Sequence, residues 1–232
     1  YFISDITLNR FFAFHVILLP LAIIGLVVAH ILALHHVGSN NPDGIEIKEY
    51  KDEVGKPIDG VAFHPFHTSK DLVWITVFLI VYFAAVFYAP EMGGLFLEVD
   101  NFEPADPLKT PEHIVPSWYF TPYYAILRAV PNAALGAVFL VLAVLLFVFL
   151  PWLDRCSVKS IRYRGWQYKL ALYIFVLSFL ALGYLGMQPA TGVYVLLARI
   201  FTITYFGFFL LMPFYTRFEK TKPVPQRVVY KK

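Results

Sequence analysis

The chain has 232 residues, of which 59% are hydrophobic and only 15% are charged. A soluble domain of this length needs more polar surface, so the composition indicates an integral membrane protein. The single cysteine excludes an internal disulfide and a cysteine-based metal cage, and a formal net charge of +3 is too small to indicate nucleic-acid binding.

Five long apolar segments each have about the 20 residues that a helix needs to cross ~30 Å of hydrocarbon. The segments are continuously apolar rather than alternating, which predicts helices and not a β-barrel. The predicted fold class is therefore all-α integral membrane, with five transmembrane helices. The segments are roughly residues 9–35, 72–90, 133–152, 168–187 and 191–215.

The first segment contains two histidines, His15 and His30, that lie 15 residues apart. At 100° per residue they project about 60° apart on one broad face, and at 1.5 Å per residue they are ~22 Å apart along the axis. Pro20 lies between them and should kink the helix modestly. Because imidazole can ligate haem iron, the pair predicts axial ligands for two haems at two depths. Hydrogen bonding of each histidine to a neighbouring helix and a proton relay are the alternatives.

The charges of the loops predict the orientation. Residues 153–169 and the tail after Thr216 are rich in Lys and Arg, whereas residues 91–132 are mainly acidic. Basic loops stay on the cytoplasmic side, so the C-terminus is expected inside and Tyr1 outside. An exterior N-terminus without a visible signal sequence predicts that further helices precede Tyr1 in a parent protein. The alternative is a complete five-helix protein whose first helix inserts from the outside.

The loop 91–132 is too long to be a plain connection. It ends in TPEHIVPSWYFTPYYAILRAVPN, which is aromatic and rich in proline. This composition predicts a short amphipathic helix or a re-entrant element at the outer membrane face.

Four sequence blocks resemble a known family. HVILLPLAIIGLVVAHILALHHVGSNNP resembles the fourth helix of the cytochrome b of bc-type quinol:cytochrome c oxidoreductases (respiratory complex III), bacterial type. FHPFHTSKD, PSWYFTPYYAILRAVPN and GMQPA are similar to later blocks of that family, in the family's order. The resemblance implies that the chain is the C-terminal half, helices four to eight, of an eight-helix cytochrome b bundle.

The resemblance implies two b-type haems. His15 corresponds to the ligand of the low-potential haem near the outer face, and His30 to the ligand of the high-potential haem near the inner face. The opposite ligand of each haem lies on the family's second helix, outside this chain.

The resemblance also implies a quinone-reducing site at the inner side. His35 and Ser39 match quinone-contacting positions, and Lys70 and Asp71 match positions that deliver protons. Reduction of a quinone consumes two protons, so such a pocket needs polar groups open to the inside, and Asp71 is a candidate catalytic residue. Without the resemblance, Asp71 is more simply an N-cap or first-turn acid of its helix.

PSWY is similar to the quinol-oxidising element of the family at the outer side. Pro116, Trp118, Tyr119 and the later Tyr124 match positions that line the quinol site, and Ser117 and Tyr119 are candidate catalytic residues. The commonest family form has Glu where this chain has Ser117. A serine cannot act as the base that this Glu supplies, which puts the outward proton route in doubt.

Arg128 matches a buried arginine behind the quinol pocket, and its expected role is structural support of the loop. The complete assignment has six segments. They are a haem-ligating transmembrane helix (1–36), an inner-side loop with quinone-reducing residues (37–71), a transmembrane helix (72–90), an outer-side loop with the PSWY element (91–132), three transmembrane helices (133–216) and a basic inner-side tail (217–232).

The function implied by the resemblance is that of the membrane electron-transfer subunit of a quinol–cytochrome c reductase. Quinol of the ubiquinol type is oxidised outside, one electron leaves to a Rieske iron–sulfur protein, and the other crosses the two haems to reduce quinone inside. The implied partners are the N-terminal half of cytochrome b, the Rieske protein, a cytochrome c-type subunit, a second copy of the complex and membrane lipid, in a bacterial inner membrane. The alternatives are a non-redox transporter with a histidine proton relay, and another dihaem membrane cytochrome that anchors a dehydrogenase.

Overall fold

The computed structural model describes residues 4–97, 102, 104, 108 and 114–225. Within these residues every regular element is helical apart from two isolated β-bridges, which confirms the predicted all-α fold class. The helices are α1 (Asp5–Val37), α2 (Thr68–Tyr88), α3 (Thr121–Ala129), α4 (Ala133–Leu153), α5 (Trp166–Met187), α6 (Gly192–Leu210) and the short α7 (Met212–Tyr215).

The five predicted spans are confirmed as helices that are long and apolar enough to cross a membrane, namely α1, α2 with the turn before it, α4, α5 and α6. The second span begins earlier than expected. An irregular turn at Phe63–His67 leads directly into α2, so Lys70 and Asp71 lie within the first turns of a helix and not in the preceding loop.

The chain forms two compact units, Tyr1–Ala62 and Phe63–Lys232. In the first unit, no described residue of α1 is buried, and its large apolar side chains are exposed along its length. Apolar surface of this extent requires a cover of lipid or of other apolar protein.

The buried core of the second unit lies where α3, α5 and α6 pack together. Tyr205, Phe209, Ile126 and Leu182 are its largest fully buried side chains. The Tyr205 hydroxyl donates a hydrogen bond of 2.9 Å to the carbonyl of Ala143 on α4, which satisfies its polar atom inside the apolar core.

The short helix predicted near the end of loop 91–132 is confirmed as α3. It is more deeply embedded than an element lying at the membrane face, because one side of it belongs to the core. The buried residues of that side are Thr121, Pro122, Ala125, Ile126 and Ala129.

Two glycines let the backbone of α3 touch the neighbouring helices. A Cβ atom at Gly186 of α5 would lie 2.1 Å from the carbonyl oxygen of Thr121, and one at Gly136 of α4 would lie 2.4 Å from that of Leu127. Both distances are far below van der Waals contact, so only glycine fits at these positions.

An ion-paired cluster joins the loop before α5 to the chain after α7. The guanidinium of Arg164 binds both carboxylate oxygens of Asp154 at 2.7 and 3.0 Å, and its Nε lies 2.7 Å from Glu219. Burial raises the pKa of the Cys156 thiol beside this cluster, and a hydrogen bond with Glu219 raises it further. The cluster places the basic loop and the start of the basic tail at the same end of α5, as the charge pattern requires.

We predict that Gly186→Ala destabilises the protein and Gly183→Ala does not. The added methyl at Gly186 collides with the backbone of α3, at a cost of about 1–3 kcal/mol or more. At Gly183 the nearest atom is 3.6 Å away, an ordinary contact. Both substitutions remove the same helix-propensity cost of glycine, so the difference between them isolates the collision.

Thermal unfolding of the full-length protein in detergent measures this difference as a lower Tm for Gly186→Ala. Equal Tm values for the two variants would show that α3 and α5 do not approach as closely as described.

Candidate functional site

His15 and His30 lie on one continuous helix. A single π turn at Phe14–Leu18 interrupts α1 just before Pro20, which has no amide to donate to the preceding turn. A π turn takes up about one extra residue, so the 15-residue separation has the geometry of 14 to 15 regular steps, which places the two side chains between about −40° and +60° apart around the axis. The two histidines therefore remain on the same face, and the departure from regular α geometry near Pro20 is this π turn.

The imidazoles of His15 and His30 are exposed on that face, and no hydrogen bond joins either ring to another residue in the described part of the chain. Between them, a Cβ atom added at Gly25 would have no atom within 4 Å, so the helix surface there is open. Two free ring nitrogens beside an open apolar surface fit the donor set of axial haem ligation. The described residues contain no cluster of three or more His, Cys, Asp or Glu that would hold a bare metal ion.

His35 and Ser39 flank the C-terminal end of α1, and both are exposed. The helix ends at Val37, and Gly38 follows with φ of +89°, a conformation that favours glycine. The sharp turn at Gly38 places an imidazole and a hydroxyl on either side of the helix end.

Lys70 and Asp71 lie in the second unit, at the start of α2. The ammonium of Lys70 is 4.4 Å from the centre of the Phe66 ring, a cation–π distance. Asp71 is an exposed acid in the first turn of α2, where a negative charge is favourable. The N-cap of this helix is His67 and not Asp71.

Residues 116–119 form the turn that leads into α3. The carbonyl of Ser117 accepts a hydrogen bond from the amide of Phe120 at 2.8 Å, and the carbonyl of Trp118 accepts one from the Thr121 hydroxyl at 2.6 Å. The rings of Trp118 and Tyr119 meet edge to face, with centroids 5.5 Å apart. Thr121 is fully buried, so the turn is anchored to the core at the point where α3 begins.

Tyr124 is tied to the same region. Its hydroxyl donates to the carbonyl of Ile114 at 3.4 Å, and the guanidinium of Arg128 stacks over its ring at 4.3 Å. The structure therefore brings Pro116, Ser117, Trp118, Tyr119 and Tyr124 to one end of α3 within a single unit.

Arg128 joins α3 to the end of α5. One terminal nitrogen donates to the carbonyls of Leu185 and Gly186 at 3.0 and 2.8 Å, both of which belong to the last turn of that helix. These contacts agree with a supporting role for Arg128 in the loop, and nothing in them directs the guanidinium toward a ligand.

Three residues that hold these candidate sites in place were missed in the sequence. They are Gly186, Lys48 and Arg199, whose Nε donates to the carbonyl of Ala129 at 2.9 Å. Gly186 is the glycine of the GMQPA block, which was noted only as a family landmark. Nothing in the local sequence marks the other two.

Two models of the cytochrome b family match the chain. The model described as cytochrome b(N-terminal)/b6/petB matches residues 1–122, and the model described as cytochrome b(C-terminal)/b6/petD matches residues 104–206. The expectation that the chain is only the C-terminal half of cytochrome b is therefore not confirmed, because its first 122 residues match the N-terminal model.

Individual relatives agree with these matches. The chain is 57% identical to a cytochrome b of Allochromatium vinosum, over 97% of this chain and 56% of the relative. It is 43% identical to a cytochrome b/c1 of Bradyrhizobium diazoefficiens, over 98% of this chain and 32% of the relative.

The fold is also similar to a chain in the solved structure of a hyperthermophilic respiratory complex III. The TM-score is 0.83 at 37% identity, and the match covers 94% of this chain and 53% of that one. The chain thus spans just over half the length of the first of these relatives and of this structure, and about a third of the cytochrome b/c1. With one family model matching more than half of it, the chain belongs to the cytochrome b family.

Proposed function

We propose that this chain is part of the membrane electron-transfer subunit of a quinol:cytochrome c oxidoreductase. The observation that carries the proposal is the pair of free imidazoles, His15 and His30, on one face of a continuous apolar helix in a member of the cytochrome b family. A non-redox transporter would need neither this pair at two depths nor the PSWY turn.

His15 and His30 would each supply one axial nitrogen to a b-type haem, the first near the outer face and the second near the inner face. Haem b, when bound, supplies a one-electron carrier, and the protein sets its position and surroundings. Helices α2, α4, α5 and α6 contain no histidine, and His64 and His67 lie in the turn before α2. The second ligands would therefore come from a further segment of cytochrome b.

The inner quinone site would use His35 and Ser39 to bind the quinone oxygens. Lys70 and Asp71 would exchange protons with the inner aqueous phase. The exposure of all four side chains at helix ends supports this role, because a quinone that becomes a quinol must receive two protons.

The outer quinol site would be formed by the turn before α3, with Pro116, Trp118, Tyr119 and Tyr124 as its aromatic and rigid walls. Ser117 would hydrogen-bond the quinol or hold a water molecule, since a hydroxyl donates and accepts but does not act as a base at neutral pH. The anchoring of this turn on the buried Thr121 supports a preorganised binding surface.

The complete protein would act in a bacterial inner membrane, with the start of this chain outside and its basic tail inside. Its partners would be a Rieske iron–sulfur protein, a cytochrome c-type subunit, a second copy of the complex, membrane lipid and a ubiquinone-type quinone. The exposed apolar surfaces of α1 and α2 support partners and lipid around both helices.

We predict that His15→Ala and His30→Ala each remove one b-type haem from the full-length protein, because each deletes an axial ligand. The haem-to-protein ratio and the redox difference spectrum measure the loss. His36→Ala, on the same helix, is the matched control and should leave both haems in place. Two intact haems in both ligand variants would refute the assignment.

We predict that Ser117→Glu makes the rate of quinol oxidation change with pH as the new carboxyl group titrates. A carboxylate accepts a proton above its pKa, whereas Ser117 has no such titration, and general base catalysis is worth roughly 10²–10⁴-fold when fully engaged. Even if the carboxylate acts only partly as a base, the rate should differ by about tenfold between pH values below and above its pKa.

Ser117→Gln has nearly the same shape as Ser117→Glu and does not titrate, so it controls for size. Identical pH profiles of the two variants would show that position 117 has no part in the outward proton route.

A further inference from the structure

The carbonyl end of α1 is covered by a lysine from the loop that follows it. The Nζ atom of Lys48 donates a hydrogen bond to the carbonyl of His35 at 2.5 Å and lies 3.4 Å from that of His36. The last four carbonyls of a helix have no amide partner within it. The amide of Gly38 donates to the carbonyl of Leu34 at 2.8 Å, and the ammonium of Lys48 donates to the next two carbonyls, those of His35 and His36.

The loop is folded so that Lys48 returns to the helix. The side-chain oxygen of Asn41 accepts hydrogen bonds from the amides of Asp43 and Ile45, both at 3.1 Å, which turns the chain back. The side-chain nitrogen of Asn41 donates to Asp59 at 2.7 Å and ties the far end of the loop to this turn. The approach of Lys48 is therefore part of an organised loop.

The absence of a side chain at Gly38 leaves space for the side chain of Lys48. A Cβ atom at Gly38 would lie 2.8 Å from Cδ of Lys48, so the aliphatic stem crosses directly over this residue. The neighbouring amide of Ile47 donates to the carbonyl of Ser39 at 3.4 Å. The ammonium of Lys48 thus holds the helix side of the turn, its stem covers Gly38, and the amide of Ile47 holds Ser39 on the other side.

The charge of Lys48 suits this position. The C-terminal end of a helix carries a partial negative charge that a cation stabilises. A hydrogen bond with an ionised donor is roughly twice as strong as a neutral one. All of these contacts lie within the first unit of the chain.

We propose that Lys48 is a positioning residue of the inner quinone site. It fixes the backbone between His35 and Ser39 and so sets the spacing of the imidazole and the hydroxyl that meet the quinone. The effect on quinone binding rests on the proposed function, whereas the capping of α1 rests only on the contacts of Lys48.

Three variants of the full-length protein test the proposal. Lys48→Met keeps the stem and removes the ammonium, Lys48→Arg keeps a cationic donor, and Lys51→Met is the matched control in the same loop. Hydrogen–deuterium exchange of the amides of residues 34–41 reports the cap directly, without haem or quinone chemistry. The KM for decylubiquinone as acceptor, compared with kcat, reports the site.

We expect Lys48→Met to speed exchange at the end of α1 by about tenfold, the effect of losing a hydrogen bond to a charged group. We also expect it to raise the KM by a similar factor with a smaller change in kcat. Lys48→Arg should restore both values toward those of the unaltered protein, and Lys51→Met should change neither.

Equal exchange rates in Lys48→Met and Lys51→Met would show that Lys48 does not cap α1. Faster exchange with an unchanged KM would overturn the link between the cap and the quinone site. An unaltered protein that contains no haem would overturn the proposed function instead, and the exchange data would still decide whether Lys48 caps α1.

Discussion

The cost of placing an imidazole in an apolar span is the constraint on which this structure depends. A helix long enough to cross the hydrocarbon has no use for two histidines unless something in the membrane binds their nitrogens. The rise of α1 separates His15 and His30 by about 21–22 Å along the axis, and both lie on one face across the π turn near Pro20. The separation of the two imidazoles and their common face therefore follow from the continuity of a single helix.

Cationic side chains donate hydrogen bonds to the carbonyls at the ends of three helices. Lys48 covers the end of α1, Arg128 covers the end of α5, and Arg199 reaches the end of α3. Each donor comes from a different segment of the chain than the carbonyl it meets. The last carbonyls of a helix have no amide partner within it and carry a partial negative charge, so these contacts both stabilise the ends and fix the residues beside them.

Two structural features lie at opposite ends of α5. The turn before α3 is held at the end of α5 that Arg128 caps, whereas the ion-paired cluster of Arg164 lies at the beginning of that helix. The aromatic turn and the basic loops thus lie at opposite ends of one span.

The sequence was sufficient for features that depend on local pattern. Length and apolarity identified the five spans, and the composition near PSWY identified α3, because both properties belong to short stretches of chain. Contacts between distant residues could not be predicted in this way. The fit of Gly186 against Thr121 and the reach of Lys48 to His35 depend on how separate segments meet in space.

Some sequence-based boundaries were too simple for a related physical reason. The turn at Phe63–His67 leads directly into α2, so the helix contains Lys70 and Asp71, although its expected start was residue 72. The assignment to the C-terminal half alone was too narrow, because it rested on a few conspicuous blocks, and the N-terminal family model matches the first 122 residues.

A redox titration of the full-length protein in its native membrane, followed by optical absorbance, tests the central claim most directly. We expect two b-type haem components with different midpoint potentials, because His15 and His30 lie at two depths in different surroundings. One b-type component, or none, would show that His15 and His30 do not ligate two haems.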